Sequence, residues 1–235
     1  MKIIVSLTSW PQRIDTAIYT IKSILAGTVL PAKIVLNLCE EEFKGIELPG
    51  FVNNTERLEL NWVKGPNTKA FKKLLPTIEK YPDDIIITVD DDISYPPYFV
   101  EKMLDTYFED PSRPVTVHHY IYNNVLIPWG GGTLYKKEFL NGYEEMLTND
   151  IIETNEDDWF YAFVLLRNGI KYRVAGKGIY YNPYIYIQTT SENQMYNKNM
   201  YDRNKTIEAL SKQLEACGDS FAILADKLYQ KYKNS

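Results

Sequence analysis

Asp90-Asp91-Asp92 place three carboxylates in a row directly behind an apolar, β-branched run, Ile85 to Val89. In extended backbone, side chains two apart share a face, so Asp90 and Asp92 are expected to point one way and Asp91 the other. Two carboxylates at a strand's carboxyl end, with no Cys or His beside them, suit a hard divalent cation such as Mg²⁺ or Mn²⁺. So small a donor set leaves coordination positions for substrate phosphates. The alternative is a solvated acidic turn that caps the helix after Pro96-Pro97. A second acidic cluster, Glu156-Asp157-Asp158, precedes the apolar run from Trp159 to Leu166. Acidic residues at that place complement a helix dipole. One aimed into a cleft can instead accept the proton of an attacking hydroxyl. Together the clusters suggest a division of labour, one holding a metal-bound phosphate and the other activating an acceptor.

These residues need elements to position them, and the first hundred residues alternate between strand and helix patterns. Strands are expected at 2–8, 33–38, 58–63 (with Leu58, Leu60 and Trp62 on one face) and 85–89. Helices are expected where Ile14, Ile18, Ile21 and Leu25 recur, where Phe71, Leu74, Leu75 and Ile78 recur, and from Phe99 to Phe108. That order predicts a parallel sheet with helical crossovers, whose ligands bind at the carboxyl ends of the strands. In the second half, residues 115–129 read as one strand, 135–146 as a helix, and a further helix follows Asp158. Two short strands, a polar loop at 188–199 and two helical segments broken near Gly218 complete the chain.

Composition narrows the function. A net charge of −5 without a dense Lys/Arg block argues against nucleic acid and broad anionic-lipid binding. Cys39 and Cys217 offer neither a disulfide framework nor metal-ligand spacing. The sequence lacks a phosphate-binding P-loop, a dinucleotide-binding glycine motif after the first strand, and a hydrolase nucleophile elbow. Tyr dominates the aromatics, 19 against 9 Phe and 4 Trp, which fits wet, polar-ligand surfaces or a bias of composition alone. The amino terminus is too short in apolar residues for a signal peptide, and no run nears the ~20 residues of a membrane-spanning helix.

The first strand with its Ser6-to-Ile14 continuation, the Gly65-to-Phe71 loop, the Asp triplet, the glycine run and the Glu-Asp pair resemble a GT-A glycosyltransferase. The likeness is to bacterial transferases that build capsules and lipooligosaccharides, and it covers residues 2 to about 200. It implies an α/β, Rossmann-like fold: a mixed, mostly parallel sheet flanked by helices over 1–200, with a C-terminal helical tail at 201–235. The activity it implies is metal-dependent transfer of one sugar from a nucleoside diphosphate sugar, UDP-linked by default, to a glycan or glycolipid hydroxyl, with inversion. Asp92, with Asp90, would ligate Mn²⁺ or Mg²⁺, and Asp90 or Asp91 would contact the ribose or sugar. Thr8, Ser9 and Arg13 would hold the nucleoside, with Lys69 near the base or ribose. Trp129 and Gly130, Gly131 and Gly132 would shape the sugar pocket. The Glu156-Asp157 pair matches the family's catalytic carboxylates, with Asp157 as base. Trp159 could stack on acceptor or fill the core.

Two departures qualify the likeness. Residues 188–194 do not form the Gln-x-x-Arg-Trp motif of processive synthases, which argues for single-sugar transfer. The two histidines, His118 and His119, precede the Glu-Asp pair, so a late histidine metal ligand is missing or replaced. Two rivals stand beside this reading: a sugar nucleotidyltransferase, and a non-catalytic carbohydrate-binding protein on the same fold. The expected location is the cytoplasm, with peripheral contact at the inner membrane face left open.

Overall fold

The computed structural model describes residues 1–175, 185–186 and 202–233. Its main sheet has seven strands in the order β10-β6-β9-β4-β1-β2-β3. These are β1 (Ile3–Thr8), β2 (Lys33–Cys39), β3 (Leu58–Val63), β4 (Ile85–Thr88), β6 (Val115–Thr116), β9 (Thr133–Tyr135) and β10 (Arg173–Val174). β1 pairs in parallel with both β2 and β4, whereas β9 runs antiparallel to β4 and β6. The sheet is therefore mixed and mostly parallel. β1 and β4 carry Ile and Val on both faces because helices cover both sides, and Ile4, Val5, Ile85, Ile86 and Ile87 are all fully buried.

The chain first runs outward from β1 through α1 (Ile14–Leu25) to β2 and β3, then returns past β1 to β4. Strand order reverses between β1 and β4, and an open α/β sheet has its crevice at such a switch point. The loops leaving those two strands carry Ser9 to Arg13 and Val89 to Asp92. Ile14, Ala17, Ile18, Ile21 and Ile24 bury one stripe of α1 against the sheet.

Several local expectations change in three dimensions. Residues 69–78 split into a 3-10 turn (Lys69–Lys73) and α3 (Leu75–Lys80) with Pro76 in its first turn. The expected strand over 115–129 is β6 followed by a hairpin, β7 (His119–Tyr122) and β8 (Val125–Pro128). Asn123 and Asn124 turn it at φ 45° and 64°, the left-handed pair a tight hairpin requires. The expected helix over 135–146 becomes β9, a 3-10 turn (Lys137–Leu140) and one short turn, α5 (Tyr143–Met146). Gly142, at φ 77°, separates the last two. On the edge strand β3, Leu58 and Leu60 are half-buried, and Trp62 is 40% exposed beside Phe43.

The second half adds β5 (Ile93–Ser94), paired with β11 (Ile185–Tyr186), and α4 (Phe99–Glu109). It continues through α6 (Asn149–Thr154) and α7 (Asp157–Arg167) to two terminal helices, α8 (Arg203–Ala216) and α9 (Phe221–Tyr232). The terminal pair packs on α7: Leu210 and Leu214 are fully buried, Phe221 lies 4.9 Å from Phe163, and Arg167 bridges to Asp219 at 3.0 Å. The polar stretch 188–199 lies outside the described residues. Among those described, no helix is long and apolar enough to cross a membrane.

The sheet edge also carries a charge network that supports the fold. Burial raises the Glu59 carboxyl, but hydrogen bonds from Lys33, Lys80 and Tyr81 outweigh it and bring it down to about 2. Stability from this group is present above pH 4.5 and lost as pH falls towards 2. The two lysines are close to half exposed, so the interaction is worth roughly 1–2 kcal/mol after screening. Glu59→Gln is expected to lose that much at pH 7 by urea unfolding, with the gap closing as pH falls from 4.5 to 2.

Candidate active site

The Asp triplet does not continue β4. The strand ends at Thr88, and Asp91-Asp92 lie in a turn, so strict face alternation does not hold. Asp91 and Asp92 both reach Arg13, whose Nη2 stands 2.5 Å from Asp91 Oδ1 and 2.7 Å from Asp92 Oδ2. Ser9 Oγ donates to Asp91 Oδ2 at 2.6 Å. Burial pushes the Asp91 carboxyl up to about 7, against the guanidinium and the hydroxyl, which favour its charged form. Arg13 is nearly enclosed, so the ion pair is shielded from solvent. Asp90 turns the other way, to Lys73 Nζ at 2.6 Å.

Lys73 joins the two acidic clusters. Its Nζ also lies 3.8 Å from Asp157 Oδ2, at the first turn of α7. Burial raises the Asp157 carboxyl, and Lys73 counters that shift. Asp158 is pushed well above the carboxylate range, by burial and then by Asp157, and its enclosed Oδ1 has no hydrogen-bond partner among the described residues. Glu156 is raised by burial, with Arg203 pulling the other way. Three carboxylates, Asp90, Asp157 and Asp158, thus surround one ammonium.

The glycine run lies against this constellation. A Cβ on Gly130 would overlap Asp158 Oδ1 and come within 2.8 Å of Lys73 Nζ. One on Gly131 would sit 2.6 Å from Asp90 Oδ2 and 3.0 Å from Trp129. Tyr95 ties the two sides together: its hydroxyl accepts from the Asp90 N–H at 2.9 Å and donates to the Gly131 carbonyl. Trp129 has its ring 6.2 Å from that of His118, beside the run.

The remaining predicted site residues take other partners. Thr8 Oγ1 donates to the Asn37 carbonyl at 2.8 Å. Lys69 pairs with Glu153 at 2.7 Å, and the neighbouring Ala70 N–H reaches the Asn155 side chain at 3.0 Å, docking this turn just ahead of Glu156. Trp159 is buried, 5.2 Å from the Tyr122 ring. Many tyrosines are likewise interior: Tyr135, Tyr161 and Tyr172 form a buried cluster behind the acidic residues.

Among the described residues, no group of three or more His, Cys, Asp or Glu side chains could by itself hold a metal ion. The donor chemistry fits a smaller site. Asp90 Oδ2 faces the side-chain-free backbone of Gly131, and Asp92 is close enough for Asp90 to raise its carboxyl, after burial. Asp92 is paired with Arg13 and Asp90 with Lys73, so a divalent cation whose other positions are filled by phosphate and water would have to draw both carboxylates from those partners.

No family model matches the chain, and no curated protein matches it. Solved structures do. Staphylococcus aureus TarS 1-349 in complex with UDP-GlcNAc is 12% identical, with a TM-score of 0.65 over 100% of this chain and 72% of that one. The Pyrobaculum calidifontis mannosyltransferase PcManGT, in complex with GDP-Man and Mn²⁺, is 12% identical, with a TM-score of 0.62 over 99% and 70%. The mixed, mostly parallel sheet flanked by helices that the sequence leads one to expect is the fold observed, and the chain shares it with these two structures.

Proposed function

We propose that the protein is a metal-dependent glycosyltransferase that moves one sugar from a nucleoside diphosphate sugar to a hydroxyl acceptor, with inversion. The observation that carries this reading is Lys73 bridging Asp90, at the switch-point crevice, to Asp157 at the start of α7. One ammonium thus brings a donor-side and an acceptor-side carboxylate together, as transfer requires. The structures of similar fold bind UDP-GlcNAc in one case and GDP-Man with Mn²⁺ in the other. Those two structures support a UDP- or GDP-linked donor, and the likeness to surface-glycan transferases supports a glycan or lipid-linked acceptor.

Asp90 and Asp92 would hold the divalent cation, which supplies positive charge for the departing diphosphate. Gly130 and Gly131, whose missing side chains leave room for Asp158, Lys73 and Asp90, would shape the sugar pocket together with Trp129. Asp157 accepts the acceptor hydroxyl's proton as that oxygen bonds to the anomeric carbon. The bond from that carbon to the diphosphate oxygen breaks, and the diphosphate leaves with the electron pair. Ser9 and Arg13 hold Asp91 and Asp92 in place at the nucleoside end.

The test is thermal unfolding with UDP, GDP, UDP-GlcNAc and GDP-Man, each with and without Mn²⁺. A ligand at one hundred times its Kd stabilises the folded state by about 2.7 kcal/mol. For a chain of this size that is a rise of roughly 5–10 °C in Tm. The expected result is a shift with one nucleotide class that needs Mn²⁺ and disappears in Asp92→Asn. No shift with any nucleotide, or an equal shift in Asp92→Asn, would sink the metal-site assignment. Pyrophosphate release from a nucleoside triphosphate would instead support a nucleotidyltransferase.

A further inference from the structure

Lys73 is 8% exposed, an unusual place for an ammonium unless carboxylates surround it. Its backbone is fixed independently of its charge. The Lys73 carbonyl accepts from Ser6 Oγ at 2.6 Å, and Ser6 belongs to a buried cluster with Thr77 and Asn37. Those residues lie on β1, α3 and β2, so the turn carrying Lys73 is clamped to the sheet. The side chain then crosses to Asp90 on one side and Asp157 on the other, and lies so close to Gly130 that a Cβ there would come within 2.8 Å of its Nζ. Asp90 and Asp157 are 67 residues apart in sequence and arise from different elements, and Lys73 is paired with both.

We propose that Lys73 is a positioning residue that holds the donor-side Asp90 and the acceptor-side Asp157 in one constellation, and that a divalent cation must compete with its ammonium for Asp90. The inference rests on the transferase reading and goes beyond it: a carboxylate assigned to the metal also pairs with an internal ammonium. Two cations sharing one carboxylate repel each other, so Lys73 weakens the metal's hold while aligning the reacting groups. Removing it has opposite effects on binding and turnover. A lysine that merely neutralised buried acids for folding would weaken both.

The test compares wild type with Lys73→Met and Lys73→Arg. Mn²⁺ alone is titrated by electron paramagnetic resonance, and hydrolysis of UDP-GlcNAc and GDP-Man is followed with saturating Mn²⁺. Lys73→Met is expected to bind Mn²⁺ on the order of tenfold more tightly and to lose roughly 10²-fold in kcat. Lys73→Arg keeps the charge, so its Mn²⁺ affinity is expected to stay within about threefold of wild type, with part of the turnover restored. Lys73→Gln, which can still hydrogen-bond a carboxylate, serves if the Met variant does not fold. Weaker or unchanged Mn²⁺ binding in the neutral variants, or unchanged kcat, overturns the Lys73 assignment and leaves the transferase reading standing. A folded wild type that binds no Mn²⁺ and hydrolyses neither donor overturns both.

Discussion

Asp157→Asn is expected to lower sugar transfer by about 10²–10⁴-fold while the metal-dependent nucleotide shift in Tm is retained. The amide keeps the shape of the carboxylate at the first turn of α7 but cannot take a proton. Asp157 has the better claim to the role than its neighbour. It is nearly buried, yet 3.8 Å from an ammonium that favours its charged, proton-accepting form. Asp158 is pushed well above the carboxylate range by burial and by Asp157, which favours its protonated form. Asp158→Asn, preserving a neutral polar group there, should cost far less. If Asp158→Asn lost the larger share and Asp157→Asn kept near-normal turnover, the base would have to be reassigned. Steady-state rates with the donor identified by thermal unfolding decide between them.

The sequence revealed the residues of this site better than their connections. The Asp triplet and the Glu-Asp pair stood out because carboxylates beside apolar runs are locally conspicuous. Lys73 did not, since a lysine in Lys-Ala-Phe-Lys-Lys looks like any solvated turn. Its meaning comes from partners 17 and 84 positions away. Tyr95 was hidden similarly: one contact is five residues back, but the other is Gly131. Arg13 was legible as a site residue, and its observed partners are the Asp triplet itself. On the fold, the β-branched runs gave β1 and β4 because burial on both faces leaves a continuous apolar signature. The second half was harder to read. The Asn123-Asn124 turn signal is embedded in β-rich residues, so two hairpin arms and β6 merge into one apparent strand.

The glycine run offers the sharpest separation of site from fold, because its three positions face different neighbours. Gly130→Ala is expected to leave a folded protein with donor turnover reduced by roughly 10²-fold, since small displacements of reacting groups carry costs of that size. Its new methyl group would meet Asp158 Oδ1 and Lys73 Nζ, both ends of side chains that can move aside. The fold survives that motion, but the alignment of Lys73 with Asp90 and Asp157 does not. Gly132→Ala places its methyl 2.5 Å from Val117 Cγ2, with Phe99 at 3.4 Å, inside the packed core. Neither neighbour can swing into solvent, so overpacking there is expected to cost about 1–3 kcal/mol of stability. Urea unfolding should therefore find Gly132→Ala the less stable variant, and donor hydrolysis should find Gly130→Ala the less active of the two once both are folded. Full turnover by Gly130→Ala would remove Gly130 from the proposed sugar site and leave the run as a packing feature of the β8–β9 connection.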